Sequence, residues 1–223
     1  MNIIYLIQTS DEFPNSLKCL KDKDHVLLSY KENTKDTTIF FPKSTWTTGR
    51  NKIRDYVLSL NKTYDYYIFL DEDIEFSDYS QIDGFKIFEE LLEQYKPYIG
   101  NPNFIGYYPT IENYNIRTTI WFDGMFNAFS KEAFFSDIIF PYVDTFDNNS
   151  WWFSQFIMIM LCSLYNKDVI LFTNIKIKNM LHSDYPRGLK ERKTVEKYVL
   201  DNLIKHNNKI NLNWDHKNFK KIL

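Results

Sequence analysis

The stretch Tyr66-Tyr67-Ile68-Phe69-Leu70 is apolar and aromatic, and it stops abruptly at Asp71-Glu72-Asp73. A short run that is apolar on both faces is the pattern of a strand buried inside a sheet. Its end in three acids puts charge at a sheet edge, where a cation or a phosphate can reach it. The acids read Asp-x-Asp, and two carboxylates at i and i+2 of a turning backbone can converge on one divalent ion. A solvated acidic loop after a strand is the plain alternative, so the neighbouring residues have to decide.

The chain around this feature has 223 residues, enough for one domain or one domain with an appended segment. With 44% hydrophobic and 18% aromatic residues it has material for a sizeable core, which excludes global disorder. A net charge of -2 and a pI near 6.1 give no basic stripe, so no nucleic-acid partner is expected. Cys19 and Cys162 are far apart in apolar surroundings and read as reduced thiols, too few for a zinc site. No apolar run reaches about 18 residues, so no transmembrane segment is expected. The N-terminus lacks a basic region and a small-residue cleavage site and reads as a first strand. The expected compartment is the cytoplasm.

Along the chain, 2–7, 25–30 and 37–41 read as strands, with a short helix over 15–20. Ile53, Tyr56, Val57 and Leu60 have the spacing of a helix over 48–60, with Thr47 or Thr48 as its N-cap. The strand 66–70 follows. Phe85, Phe88, Leu91, Leu92 and Tyr95 mark a helix over 83–95 that Pro97 ends. Then come a strand over 104–108, a strand and turn over 121–129, and a short helix over 131–136. An apolar helix is expected over 150–165, a strand over 169–177 and an amphipathic helix over 190–206. Strands alternate with helices through the first half, which predicts an α/β fold with a mostly parallel central sheet flanked by helices.

In such sheets ligands bind beyond the carboxyl ends of the strands. Gln8, Thr9, Tyr30 and the acidic triplet all fall there. Oxygen ligands suit a hard ion such as Mg²⁺ or Mn²⁺. Gly49-Arg50-Asn51-x-x-Arg54 opens the helix before the acidic strand, and arginines at a helix N-terminus can hold an anion. They can equally be solvent-exposed. After the last strand, His182 can complete a metal site and Arg187 can pair with phosphate. No Gly-x-Gly-x-x-Gly, phosphate-loop motif or Gly-x-Ser-x-Gly elbow is present.

A strand ending in Asp-x-Asp, preceded by a Gly-Arg-Asn-x-x-Arg helix, resembles the nucleotide-sugar glycosyltransferases of the GT-A fold. The likeness covers roughly residues 1–190, and the small size resembles that of the compact members of bacteria and large DNA viruses. It implies a UDP- or GDP-sugar donor, Mn²⁺ or Mg²⁺, and transfer to a hydroxyl of a glycan or other acceptor. It also implies a division into a nucleotide-sugar half over 1–110, an acceptor and catalytic half over 111–190, and a C-terminal helix and tail over 191–223.

Carried over by position, Asp71 matches the first acid, near the ribose or the metal, and Asp73 the direct metal ligand. Glu72 is the variable middle residue. Gln8 and Thr9 match the nucleoside end, and His182 a late metal ligand. Arg50, Asn51, Arg54 and Arg187 fall on the donor side. The chain has no Glu-Asp pair at the start of the later helix, where many inverting members keep their base. Asp147 is the expected base and Asp123 its rival; a helix-capping task suits Asp147 as well. Trp121, Gly124, Trp151 and Trp152 fall on the acceptor side, although Trp151-Trp152 also suits a core. A sugar nucleotidyltransferase is the alternative enzyme, but the glycine-free Gln8-Thr9-Ser10-Asp11-Glu12 lacks its Gly-rich loop. A nucleotide-sugar or glycan-binding module without turnover is the alternative outside enzymes.

Overall fold

A computed structural model describes residues 1–10, 12–105, 116–180 and 192–203. Among the described residues, nine strands form one sheet in the order β3-β2-β1-β4-β8-β6-β9-β5, with β7 paired to β9. The first four are β1 (Ile3–Thr9), β2 (His25–Ser29), β3 (Ile39–Phe40) and β4 (Tyr66–Asp71). They pair in parallel. The remainder are β5 (Ile74–Phe76), β6 (Ile99–Phe104), β7 (Ile116–Thr118), β8 (Phe126–Ser130) and β9 (Val169–Asn179). β8 runs antiparallel to both β4 and β6, β6 pairs in parallel with β9, and β5 and β7 run antiparallel to β9. Strands β1, β2, β3, β4, β6 and β9 therefore point one way.

Side-chain alternation along the central strands builds a core on each face. Ile4, Leu6, Tyr67, Phe69 and Phe129 face one side, and Tyr5, Ile7, Ile68, Leu70 and Phe126 the other. The first face packs against α1 (Trp46–Ser59), α3 (Lys131–Phe134), α4 (Trp152–Leu164) and α5 (Arg192–Tyr198). On it the Phe134 ring stacks on Tyr67 at 3.9 Å. The second face packs against α2 (Gln81–Tyr95) and the 3₁₀ turn Asn15–Leu20, chiefly through Phe85, Phe88, Leu92 and Leu17. Helix α4 is buried from Phe153 to Cys162, as its all-round apolar sequence requires.

Several boundaries differ from the sequence reading. The N-cap of α1 is Thr45, not Thr47 or Thr48; its hydroxyl accepts from the Thr48 amide in a reciprocal capping box. The strand expected over 104–108 lies upstream, as β6, and 106–115 is outside the described residues. Gly100, Asn101 and Pro102 conceal it, because tertiary pairing with β8 and β9 overrides their weak strand preference. The short strands β5 and β7 carry too few residues to show a period.

Candidate active site

The carboxyl ends of β1, β2 and β4 meet at one edge, since β4 keeps parallel register with β1 through the pairing of Gln8 with Asp71. The Asp71 Oδ1 atom accepts from Arg50 Nη2 at 2.7 Å and from Trp46 Nε1 at 3.0 Å. Arg50 is fully buried, and its guanidinium lies over the Trp46 ring at 4.1 Å and the Phe69 ring at 5.0 Å. A charge so buried needs its carboxylate partner. Burial pushes the Asp71 carboxyl above the ordinary carboxylate range and the Arg50 guanidinium pulls it back, although a quarter of the Asp71 side chain stays exposed.

The other two acids have different surroundings. Glu72 accepts from Thr9, Ser10 and Tyr30, joining the ends of β1 and β2 to the turn after β4. Asp73 is buried to 8% exposure, and its carbonyl accepts from the Met180 amide at 3.1 Å where β5 meets β9. Carboxylate oxygens are the donor type that Mn²⁺ and Mg²⁺ take. Among the described residues, however, no group of three His, Cys, Asp or Glu side chains is arranged to hold a metal ion. The donors fit the ion in kind and fall short in number, so further oxygens or His182 would have to complete the shell. His182 and Arg187 lie outside the described residues.

The other described residues expected on the donor side turn inward. Gln8 Nε2 donates to the Thr45 carbonyl at 3.0 Å, and a Cβ on Gly49 would overlap the Gln8 side chain. Glycine at that position lets α1 approach β1. Asn51 bonds the Tyr142 backbone in both directions, each at 2.8 Å. Arg54 Nε donates to the Phe134 carbonyl at 3.1 Å, with its guanidinium over Phe140. Positions 50, 53, 54 and 57 form the buried face of α1, so both arginines point into the core.

Asp147 accepts from the Thr45 hydroxyl and, at 2.6 Å, from the Thr47 hydroxyl. It is 8% exposed, and burial pushes its carboxyl up while the two threonines pull it down. It closes the first turn of α1, where its charge suits the helix dipole. Asp123 is half-buried at the Asp71 edge. Its Oδ1 accepts from the Met125 amide at 3.0 Å, and the Met125 carbonyl accepts from the Asp71 amide at 2.9 Å. Next to it, a Cβ on Gly124 would stand 2.8 Å from the Trp46 ring. The fold thus gathers Asp71, Arg50, Trp46, Asp123 and Gly124 at one corner.

Of the residues expected at the acceptor, Trp121 and Trp152 lie parallel at 6.4 Å and both stack on Phe156, with Arg192 over the Trp121 ring. Trp151 precedes α4 and is half-buried. Trp46, absent from the sequence reading, is four residues before Arg50, and that spacing on a helix is the signal that pairs them.

No protein-family model and no curated protein matches the sequence. Solved structures do. One is A197 from STIV, 14% identical, with 82% of this chain and 87% of that one covered at a TM-score of 0.48. A second is S. aureus TarS 1-349, 8% identical, with 81% and 60% covered at 0.55. A third is GalNAc-T7 with UDP, GalNAc and Mn²⁺, 11% identical, with 91% and 49% covered at 0.62. The chain thus spans 60% of the TarS fragment and about half of GalNAc-T7. The architecture is the GT-A fold of glycosyltransferases. Among the described residues no helix is long and apolar enough to cross a membrane.

Proposed function

We propose that the chain is a metal-dependent glycosyltransferase that moves a sugar from a UDP- or GDP-sugar to a hydroxyl of a glycan or other acceptor. The observation that carries the reading is Asp71 at the end of β4, bonded to Arg50 and Trp46 and followed two residues on by Asp73. That acid corner stands at the carboxyl edge of a GT-A sheet, where ligands of parallel α/β sheets bind. The donor class and the ion draw support from GalNAc-T7, whose crystals contain UDP, GalNAc and Mn²⁺.

In this reaction the bond between the anomeric carbon and the diphosphate oxygen breaks and a bond to the acceptor oxygen forms. The acceptor proton leaves to a carboxylate, and the diphosphate leaves with the bonding electrons. Asp71 and Asp73, with His182, would hold Mn²⁺ or Mg²⁺. When bound, the ion supplies positive charge opposite the departing diphosphate. Arg187 would pair with the diphosphate. Arg50 fixes Asp71 in place and offsets part of its burial instead of reaching the ligand, since its guanidinium is buried against Trp46 and Phe69.

Of the two acids weighed as base, Asp123 takes the role in this reading. It is half-buried beside Asp71, whereas both Asp147 oxygens accept threonine hydroxyls. A base within reach of the acceptor proton contributes about 10²–10⁴-fold. Trp121, Trp151 and Trp152 stand on the acceptor side.

A thermal-shift panel of UDP-, GDP-, CDP- and dTDP-sugars, with and without Mn²⁺, tests the reading. Binding to the folded state alone adds about 2.7 kcal/mol at a hundredfold excess over Kd and raises Tm. One nucleotide class is expected to raise Tm, and to need Mn²⁺ for it. No shift from any donor under either condition contradicts the reading.

A further inference from the structure

The edge of the sheet opposite the acid corner holds a depression of about 820 Å³. That volume falls within the range of about 300–1,000 Å³ found for small-ligand sites. Strand β4 sets its place in the fold. Tyr66 at the start of β4 lines the depression, and Asp71 at the other end stands in the acid corner. Six residues at about 3.3 Å each put the two edges roughly 20 Å apart, so the depression is separate from that corner.

Its walls are fixed by the backbone. The Ser130 amide donates to the Tyr98 carbonyl at 3.0 Å, the Ile99 amide to the Asp168 carbonyl at 3.1 Å, and the Lys131 amide to the Asp65 carbonyl at 2.9 Å. The Asp65 carboxylate accepts from the Asn2 amide at 2.7 Å. Tyr66 and Tyr98 add aromatic surface, both with most of the ring buried, and the Tyr66 hydroxyl donates to the Pro97 carbonyl at 2.8 Å.

Three lysines and four acids share the rest of the lining with a few small polar groups. The two signs are interleaved. Lys131 adjoins Glu132 in the chain, Lys167 adjoins Asp168, and Lys167 pairs with Glu132 at 3.1 Å while lying over the Tyr98 ring at 4.5 Å. A ligand of one sign meets its own sign wherever it rests in such a lining. A hydroxyl both donates and accepts, so it bonds a carboxylate on one side and an ammonium on the other.

We propose that this depression is a second glycan site, which holds a neutral oligosaccharide away from the acid corner. The choice of a glycan among neutral polyols rests on the glycosyltransferase reading above. Tyr66 and Tyr98 offer apolar surface to the C–H face of a sugar ring, and Lys131 and Asp168, both exposed, reach its hydroxyls from two sides. A long glycan anchored here is kept at high effective concentration near the acid corner, with no added contact at the reacting bond.

The test titrates maltohexaose, cellohexaose, chitohexaose and mannohexaose, with hexagalacturonate as the charged comparison, into the full chain, and reads binding by calorimetry. Three proteins are compared: wild type, the double variant Lys131→Ala/Asp168→Ala, and Asp73→Asn. At least one neutral hexasaccharide is expected to bind. The double variant is expected to lose roughly tenfold or more in that affinity, from two lost hydrogen bonds, and Asp73→Asn to stay within about twofold of wild type. Thermal melts show whether the double variant is folded; if it is not, the single variants Lys131→Ala and Asp168→Ala decide, each with a loss of about threefold or more. No binding of any neutral hexasaccharide, tighter binding of hexagalacturonate than of all four, or equal binding by wild type and the pocket variants would overturn the proposal. Self-association of wild type that the double variant abolishes would overturn it too, and would assign the depression to a second copy of the chain. Nucleotide-sugar turnover without oligosaccharide binding sinks this proposal alone; oligosaccharide binding without turnover of any nucleotide sugar sinks the parent reading and leaves the site standing.

Discussion

Arg50 is the residue on which the acid corner depends. Its guanidinium is sealed from solvent, bonded to Asp71 Oδ1 and sandwiched between Trp46 and Phe69. Removing one partner of a buried pair costs about 3–5 kcal/mol, because the other charge is left without compensation. Because Asp71 keeps a quarter of its side chain exposed, the loss on Arg50→Met is expected below that range, at about 2–3 kcal/mol. Urea unfolding checks this, and a change of less than about 1 kcal/mol would remove Arg50 from its structural post. At this scale the sequence was partly legible. The strand end at Asp71 was readable because the apolar run stops there, and β4 does end at that residue. The inward turn of Arg54 and Asn51 was not, because arginines near a helix start look the same in sequence whether they meet a ligand or a backbone carbonyl. The buried spacing 50, 53, 54, 57 distinguishes the two, and it needs the helix register to be fixed first.

The first turn of α1 is the element that joins site and scaffold. Thr45 caps it, Thr47 and Thr45 both donate to Asp147, and Gln8 reaches the Thr45 carbonyl. Asp147 lies a hundred residues from Thr47, so this contact also anchors the loop before α4 to α1. A double-mutant cycle with Thr47→Val and Asp147→Asn is expected to give a coupling energy of about 0.5–3 kcal/mol in unfolding. Additive effects would mean that the carboxylate does not hold the helix. The element pattern explains what could be read in advance. Helices α1, α2 and α4 have long apolar periods and stood out. Strands β5 and β7 have three residues each and exist only because β9 offers them a partner. The cap shifted from 47 or 48 to Thr45 because Trp46, an unremarkable helix starter, packs onto the corner and draws the helix start two or three residues earlier.

For the whole molecule, two cores on opposite faces of one sheet hold the carboxyl edge of β1, β2 and β4 in fixed register. The parallel half of that sheet was legible because each strand returns through a helix or a turn. The order of the far half was not, since β8 inserts antiparallel between β4 and β6, a pairing that local patterns do not encode. The central claim is that the acid corner acts on a nucleotide sugar. Release of nucleoside diphosphate from the donor that raises Tm, followed by phosphorus NMR with Mn²⁺, tests it most directly in wild type and in Asp73→Asn. The account expects turnover in the wild type and a loss of roughly 10²-fold or more in a variant that still melts cooperatively. Equal turnover in both proteins would contradict it.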